Sequence, residues 1–168
     1  MKDFRGACSN PNVHHHPYEH SIDIVLPEGA PILAVKAGIV WQVKDDSNEG
    51  GLDPKYSNEK YLNYITIKHT NEEFSQYVHV QCKSSKVKNG DKVRKGQVIA
   101  KNGNTGFSAG PHLHFQVFTP REGKINFEIL EVRFDKPFKI DKSVAKIPEI
   151  AKSTIKRNEN KWKKLRKA

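Results

Sequence analysis

A glycine-rich loop that runs straight into a His-x-His strand constrains this chain more than any other stretch. Asn102-Gly-Asn-Thr-Gly-Phe-Ser-Ala-Gly-Pro-His-Leu-His-Phe-Gln-Val117 supplies turn formers as far as Pro111 and then alternates polar with apolar residues. On a strand, side chains at i and i+2 share a face. His112 and His114 therefore project side by side, while Leu113 and Phe115 point the other way, into a core. Two imidazoles held on a rigid strand make a metal or acid–base site. The plain alternative is a surface strand with two incidental histidines. The glycine-rich approach and the acidic and histidine residues upstream weigh against it.

The rest of the chain also reads as short strands cut by turns. Ser21-Ile-Asp-Ile-Val-Leu26 alternates, with Asp23 on the face opposite Ile22, Ile24 and Leu26. Pro27 to Pro31 is a turn, followed by strands at Ile32–Val35 and Gly38–Val43. Asp45 to Lys60 is a long polar loop, expected at the rim of a cleft. Its carboxylates do not have the alternating spacing of an EF-hand. Tyr61–His69 and Phe74–Val80 form a hairpin, Lys92–Arg94 and Val98–Ala100 are short strands, and Phe127–Phe134 is one more. Helical periodicity is nearly absent before the tail. The fold class is therefore all-β, a small antiparallel sandwich or barrel-like sheet.

At 168 residues the chain fits one domain, expected over residues 1–140, followed by a tail at 141–168. The net charge of +10 lies mostly at the end. Residues 1–135 hold 17 Lys/Arg against 16 Asp/Glu, and residues 136–168 hold 12 against 3. A whole-chain argument for nucleic-acid binding is thereby excluded, and no specific nucleic acid is expected. In the tail, Ile150, Ala151, Ile155, Trp162 and Leu165 fall near one side of a helix amid lysines. A basic amphipathic helix for an anionic polymer or membrane surface is one reading, and a solvated lysine-rich tail is the other. No apolar run approaches the roughly 20 residues of a membrane span, and no signal peptide opens the sequence. Cys8 and Cys82 are read as two unrelated thiols.

The polar groups that strands would aim at one face are Asp23, His79, His112 and His114, joined by one or more of His14, His15, His16 and His20. Two imidazoles and a carboxylate leave one position of a tetrahedral Zn²⁺ open for water, as in a catalytic zinc site. Further histidines can then move protons or steady developing charge. No Ser-His-Asp arrangement or nucleophilic cysteine motif is visible.

These residues resemble a family. Asp23 with Pro27-Glu-Gly-Ala-Pro-Ile-Leu-Ala34, Tyr77-Val-His79, Val87-Lys-Asn-Gly-Asp-Lys-Val-Arg-Lys-Gly-Gln-Val-Ile99 and Gly103-Asn-Thr-Gly-Phe-Ser-Ala-Gly-Pro-His-Leu-His-Phe115 look, in that order, like the lysostaphin/LytM-type zinc endopeptidases. The resemblance implies a small antiparallel β fold with a groove over the sheet. It implies a zinc cofactor, cleavage of peptide bonds in peptidoglycan stems or cross-bridges, a monomer, and a place in the cell envelope or outside the cell. Carried over, Asp23 and His114 are zinc ligands, and His79 and His112 are the unliganded catalytic histidines. The family's His-x-x-x-Asp pattern would need histidine at position 19, where this chain has Glu19. His14 takes the ligand position when the histidine comes from further upstream, with His16, His20 and Glu19 as the other candidates. Tyr18 is a candidate for the family's oxyanion-stabilising tyrosine.

Two other functions compete. A non-catalytic domain of the same fold, binding cell wall or activating an amidase, would have lost ligands. This chain keeps Asp23, His79, His112 and His114. A biotinyl/lipoyl-like carrier is suggested by Gly90-Asp-Lys-Val-Arg-Lys-Gly-Gln97, but no lysine sits in a suitable exposed hairpin.

Overall fold

A computed structural model of the chain describes residues 7–8, 18, 20–122 and 127–132. Its strands are β1 (Ala7–Cys8), β2 (Ile22–Ile24), β3 (Pro31–Leu33), β4 (Gly38–Lys44), β5 (Gly50–Gly51), β6 (Tyr64–Lys68), β7 (Phe74–Val78), β8 (Lys92–Val93), β9 (Val98–Lys101), β10 (Gly106–Phe107), β11 (Leu113–Pro120) and β12 (Phe127–Leu130). Helix among the described residues is confined to three 3-10 turns at Pro54–Ser57, Glu59–Tyr61 and Thr70–Glu72. The all-β expectation holds, and the tail at 141–168 lies outside the described residues.

The main sheet runs β1-β2-β11-β7-β6-β4-β8, with β12 also on β11. Its long ladders are antiparallel, so their register sets rows of side chains across each face. One row reads Asp23, His114, Val78, Tyr64, Lys44. The next reads Gln116, Gln76, Thr66, Gln42. A third reads Phe118, Phe74, Lys68, Ile39. Trp41, at a bulge in β4, adds its ring edge-on to Phe74 at 5.8 Å, and Phe74 stacks on Phe118 at 5.3 Å.

The opposite face is the core. Ile65, Ile67, Tyr77, Leu113 and Phe115 pack there with Ile32, Ile99 and Ala100 from the separate β3–β9 ladder and with Ala34 just beyond β3. The core thus lies between the main sheet and this smaller pair, a sandwich-like arrangement. In β2 and β6 the aliphatic residues face the core and Asp23, Tyr64, Thr66 and Lys68 face away, which pins the register; a slip by one residue would bury Asp23 and His114.

His69 belongs to this scaffold. It is buried, its Nδ1–H donates to Ala37 O at 2.8 Å, and its Nε2 lies 2.8 Å from Ser75 Oγ. Ser75 continues to the Tyr77 hydroxyl, which accepts from Val35 N–H at 2.8 Å. Both ring nitrogens of His69 are used in this relay, so the histidine is structural.

The long loop after β4 is docked rather than loose. Its β5 pairs in parallel with β10, Gly50 opposite Gly106 and Gly51 opposite Phe107. A Cβ on Gly50 would stand 1.9 Å from Asn104 O, so only glycine lets the two loops come this close. Buried Asn63 clamps the loop: its side chain accepts from Ser47 N–H and donates to Ser47 O and Val80 O.

Candidate active site

Asp23 and His114 meet across the β2–β11 ladder, where they are directly opposed. Asp23 Oδ1 lies 3.0 Å from His114 Nδ1 and 3.7 Å from His112 Nε2. The period-two expectation is met: β11 begins at Leu113, and the histidines on either side of it both reach Asp23.

His79 reaches the same place by breaking a rule. Val78 is paired with His114 and so shares its face. A regular strand would therefore send residue 79 into the core. The strand expected to run to Val80 instead ends at Val78, and His79 adopts φ 65°. That left-handed turn costs a non-glycine residue roughly 1–2 kcal/mol. It swings the ring to 4.5 Å from the His112 ring and 6.1 Å from the His114 ring, centroid to centroid.

Two carbonyls set the protons on these rings. His79 Nδ1–H donates to Thr105 O at 2.6 Å, leaving Nε2 as its acceptor nitrogen. Thr105 is itself fixed, since its hydroxyl accepts from Asn63 N–H and donates to Val80 O, both at 3.2 Å. Gly103 allows the approach: a Cβ there would stand 2.7 Å from the Gln81 backbone and 2.9 Å from His79 O. His112 Nδ1–H likewise donates to Gly110 O at 2.9 Å, with Ser108 Oγ at 3.2 Å. His112 also keeps its lone pair on Nε2. Burial, and then the neighbouring His112, push the His79 pKa down to about 3, against a partial opposing effect of the Thr105 hydrogen bond. His79 is neutral at any ordinary working pH.

Asp23 and His114 are spaced as two ligands of one zinc ion would be. Two donors at about 2.0–2.1 Å from a tetrahedral zinc stand roughly 3.3 Å apart. The 3.0 Å between Asp23 Oδ1 and His114 Nδ1 is close to that. Among the described residues no group of three His, Cys, Asp or Glu could hold a metal, so Asp23 and His114 stand as a pair. His14, His16 and Glu19 lie outside the described residues, and His20 is exposed. Tyr18, the candidate oxyanion tyrosine, is exposed and places its ring 5.9 Å from that of Phe127.

The family model for Peptidase family M23 matches residues 17–127. The chain belongs to peptidase family M23. Peptidoglycan DD-endopeptidase ShyC of Vibrio cholerae is 35% identical over 121 residues, covering 68% of this chain and 25% of that protein. The chain thus matches about a quarter of that relative's length. The catalytic domain of the antimicrobial peptidase lysostaphin from Staphylococcus simulans superposes with a TM-score of 0.52 at 26% identity, covering 74% of this chain and 84% of that one. A zinc-containing peptidase from Vibrio cholerae gives a TM-score of 0.55 at 28% identity, covering 80% and 38% respectively. The M23 assignment agrees with the β-sheet architecture and with a peptidase as the class of protein.

Sequence reasoning named the side chains that meet at this site but not the groups that hold them. Thr105 and Gly110 act through backbone carbonyls, which leave no residue-type signal. Gln116 was within reach: it lies two residues beyond His114 on the same strand face, and its Oε1 is 3.3 Å from His114 Nε2.

Proposed function

We propose that this M23 domain is a zinc-dependent endopeptidase that hydrolyses peptide bonds in peptidoglycan stems or cross-bridges. Asp23, His114 and His14 would hold the zinc, with His79 and His112 unliganded beside it. The observation that carries the reading is that His79 and His112 both commit their Nδ1 protons to backbone carbonyls, Thr105 O and Gly110 O. A wall-binding domain would have no use for two imidazoles prepared as acceptors side by side.

Zinc bound there would polarise the scissile carbonyl and lower the pKa of a water. The chain's own residues divide the remaining work. His79, with its pKa near 3, takes a hydrogen bond from the water without keeping the proton. His112 takes the proton as general base. Once protonated, its Nε2–H can steady the developing oxyanion and then be given to the leaving amine.

The domain is proposed to span 1–140 and to act as a monomer in the cell envelope or outside the cell. The basic segment 141–168 would add attraction to an anionic wall polymer or membrane. Deleting 141–168 should weaken that binding at low salt, and unchanged binding would refute the role. Gel zymography on purified peptidoglycan tests the activity. A clear band, abolished by chelator and restored by zinc, is the expected result; no lysis by folded, zinc-loaded protein would overturn it.

A further inference from the structure

We propose that Gln116 is a positioning residue: it sets the tautomer of His114, and so the nitrogen that His114 can offer to a metal. The proposal rests on the zinc reading above. Gln116 is buried in the row next to the site, and its Oε1 faces His114 Nε2 at 3.3 Å and accepts from Ser21 Oγ at 3.0 Å. Its Nε2 donates to Gln76 Oε1 at 2.7 Å, and Gln76 Nε2 donates to Thr66 Oγ1 at 3.1 Å. A relay of two amides and a hydroxyl thus runs across β11, β7 and β6, inside the sheet's second row.

A neutral imidazole carries one N–H, and the partner of one nitrogen decides the state of the other. A carbonyl oxygen facing Nε2 favours the proton on Nε2, which leaves Nδ1 a lone pair on the Asp23 side. The Asp23 carboxylate, 3.0 Å from Nδ1, pulls the opposite way, because a carboxylate accepts and draws the proton to Nδ1. Gln116 opposes that pull with an acceptor of its own at Nε2, without any change in net charge. Every member of its relay can also reverse. Rotating both amides by half a turn makes Gln116 a donor to Nε2 and Thr66 a donor to Gln76, which would stabilise the tautomer unable to ligate through Nδ1. The relay therefore has two senses, and its sense and the His114 tautomer are one variable.

The test uses ¹⁵N-histidine NMR of the metal-free protein, which reads the tautomer directly, together with zinc affinity by competition with a chromophoric chelator. Gln116→Leu removes the acceptor. His114 should move toward the Nδ1–H form, and zinc should bind about 10–100-fold more weakly. Gln116→Glu can only accept at Nε2. It should hold the Nε2–H form, with Gln76 turning its amide to donate, and bind zinc at least as tightly as wild type. Should Gln116→Leu fail to fold, the Gln116→Glu tautomer still decides the matter: an Nδ1–H form there contradicts the proposal. An unchanged tautomer in Gln116→Leu, or unchanged zinc affinity, overturns the role of Gln116 alone. Wild-type protein that binds no zinc overturns the zinc reading and this inference with it.

Discussion

His79 and Thr105 are joined by a 2.6 Å hydrogen bond from imidazole Nδ1–H to backbone carbonyl, across 26 residues of chain. The Thr105 hydroxyl holds that carbonyl in place by bridging Asn63 N–H and Val80 O. Thr105→Val keeps the shape but strands the Asn63 N–H, a buried donor. Loss of about 1–3 kcal/mol is expected in chemical denaturation, with kcat falling while bound zinc is retained. An unaltered kcat would show that the carbonyl does not depend on this hydroxyl.

His79→Asn separates chemistry from folding. Asparagine tolerates a left-handed backbone better than most residues, so the φ of 65° at this position should be kept. The variant should fold, bind zinc, and hydrolyse peptidoglycan about 10²–10⁴-fold more slowly. Activity within a few-fold of wild type would remove His79 from the reaction.

The same variant tests a pH dependence. In the unfolded chain a histidine titrates near 6.5, whereas folded His79 titrates near 3. Between those values the unfolded state binds a proton that the folded state refuses. Stability of the metal-free protein should fall as pH drops from about 6.5 toward 3, by up to about 1.4 kcal/mol per pH unit from this group. His79→Asn should flatten the slope over that window. Equal slopes for the two proteins would mean that His79 is not buried in its neutral form.

Gly103→Ala should damage the site without touching a reacting group. The added Cβ would meet backbone atoms of Gln81 and His79 at 2.7–2.9 Å, which no side-chain rotation relieves. A cost of about 1–3 kcal/mol is expected, visible as a lower melting temperature, together with reduced kcat. Gly110→Ala is the control for stability alone, since open space surrounds that position while its carbonyl holds His112.

Period-two alternation carried most of this through from the sequence. It placed Asp23, His112 and His114 on one face, with Ile24, Leu113 and Phe115 behind them, and turn residues marked the strand ends. His79 joins them by a route that alternation does not supply: one positive φ reverses the face, and nothing local to Tyr77-Val-His79 announces it. The turn is imposed from outside, by the Thr105 carbonyl, the Val80–Asn102 bridge and the space Gly103 leaves. Asp45–Lys60 was recognised as a loop, but its parallel pairing with Gly106–Phe107 depends on contacts 56 residues away, as Gly50 to Gly106 shows.

The division of the His-x-His pair into one ligand and one base is the centre of this account. Zinc stoichiometry in purified Asp23→Asn and His112→Ala, read beside their peptidoglycan hydrolysis, tests it most directly. Asp23→Asn should lose zinc and activity together. His112→Ala should keep one zinc per chain while hydrolysis falls by about 10²–10⁴-fold. Loss of zinc from His112→Ala, or full zinc in Asp23→Asn, would contradict the assignment.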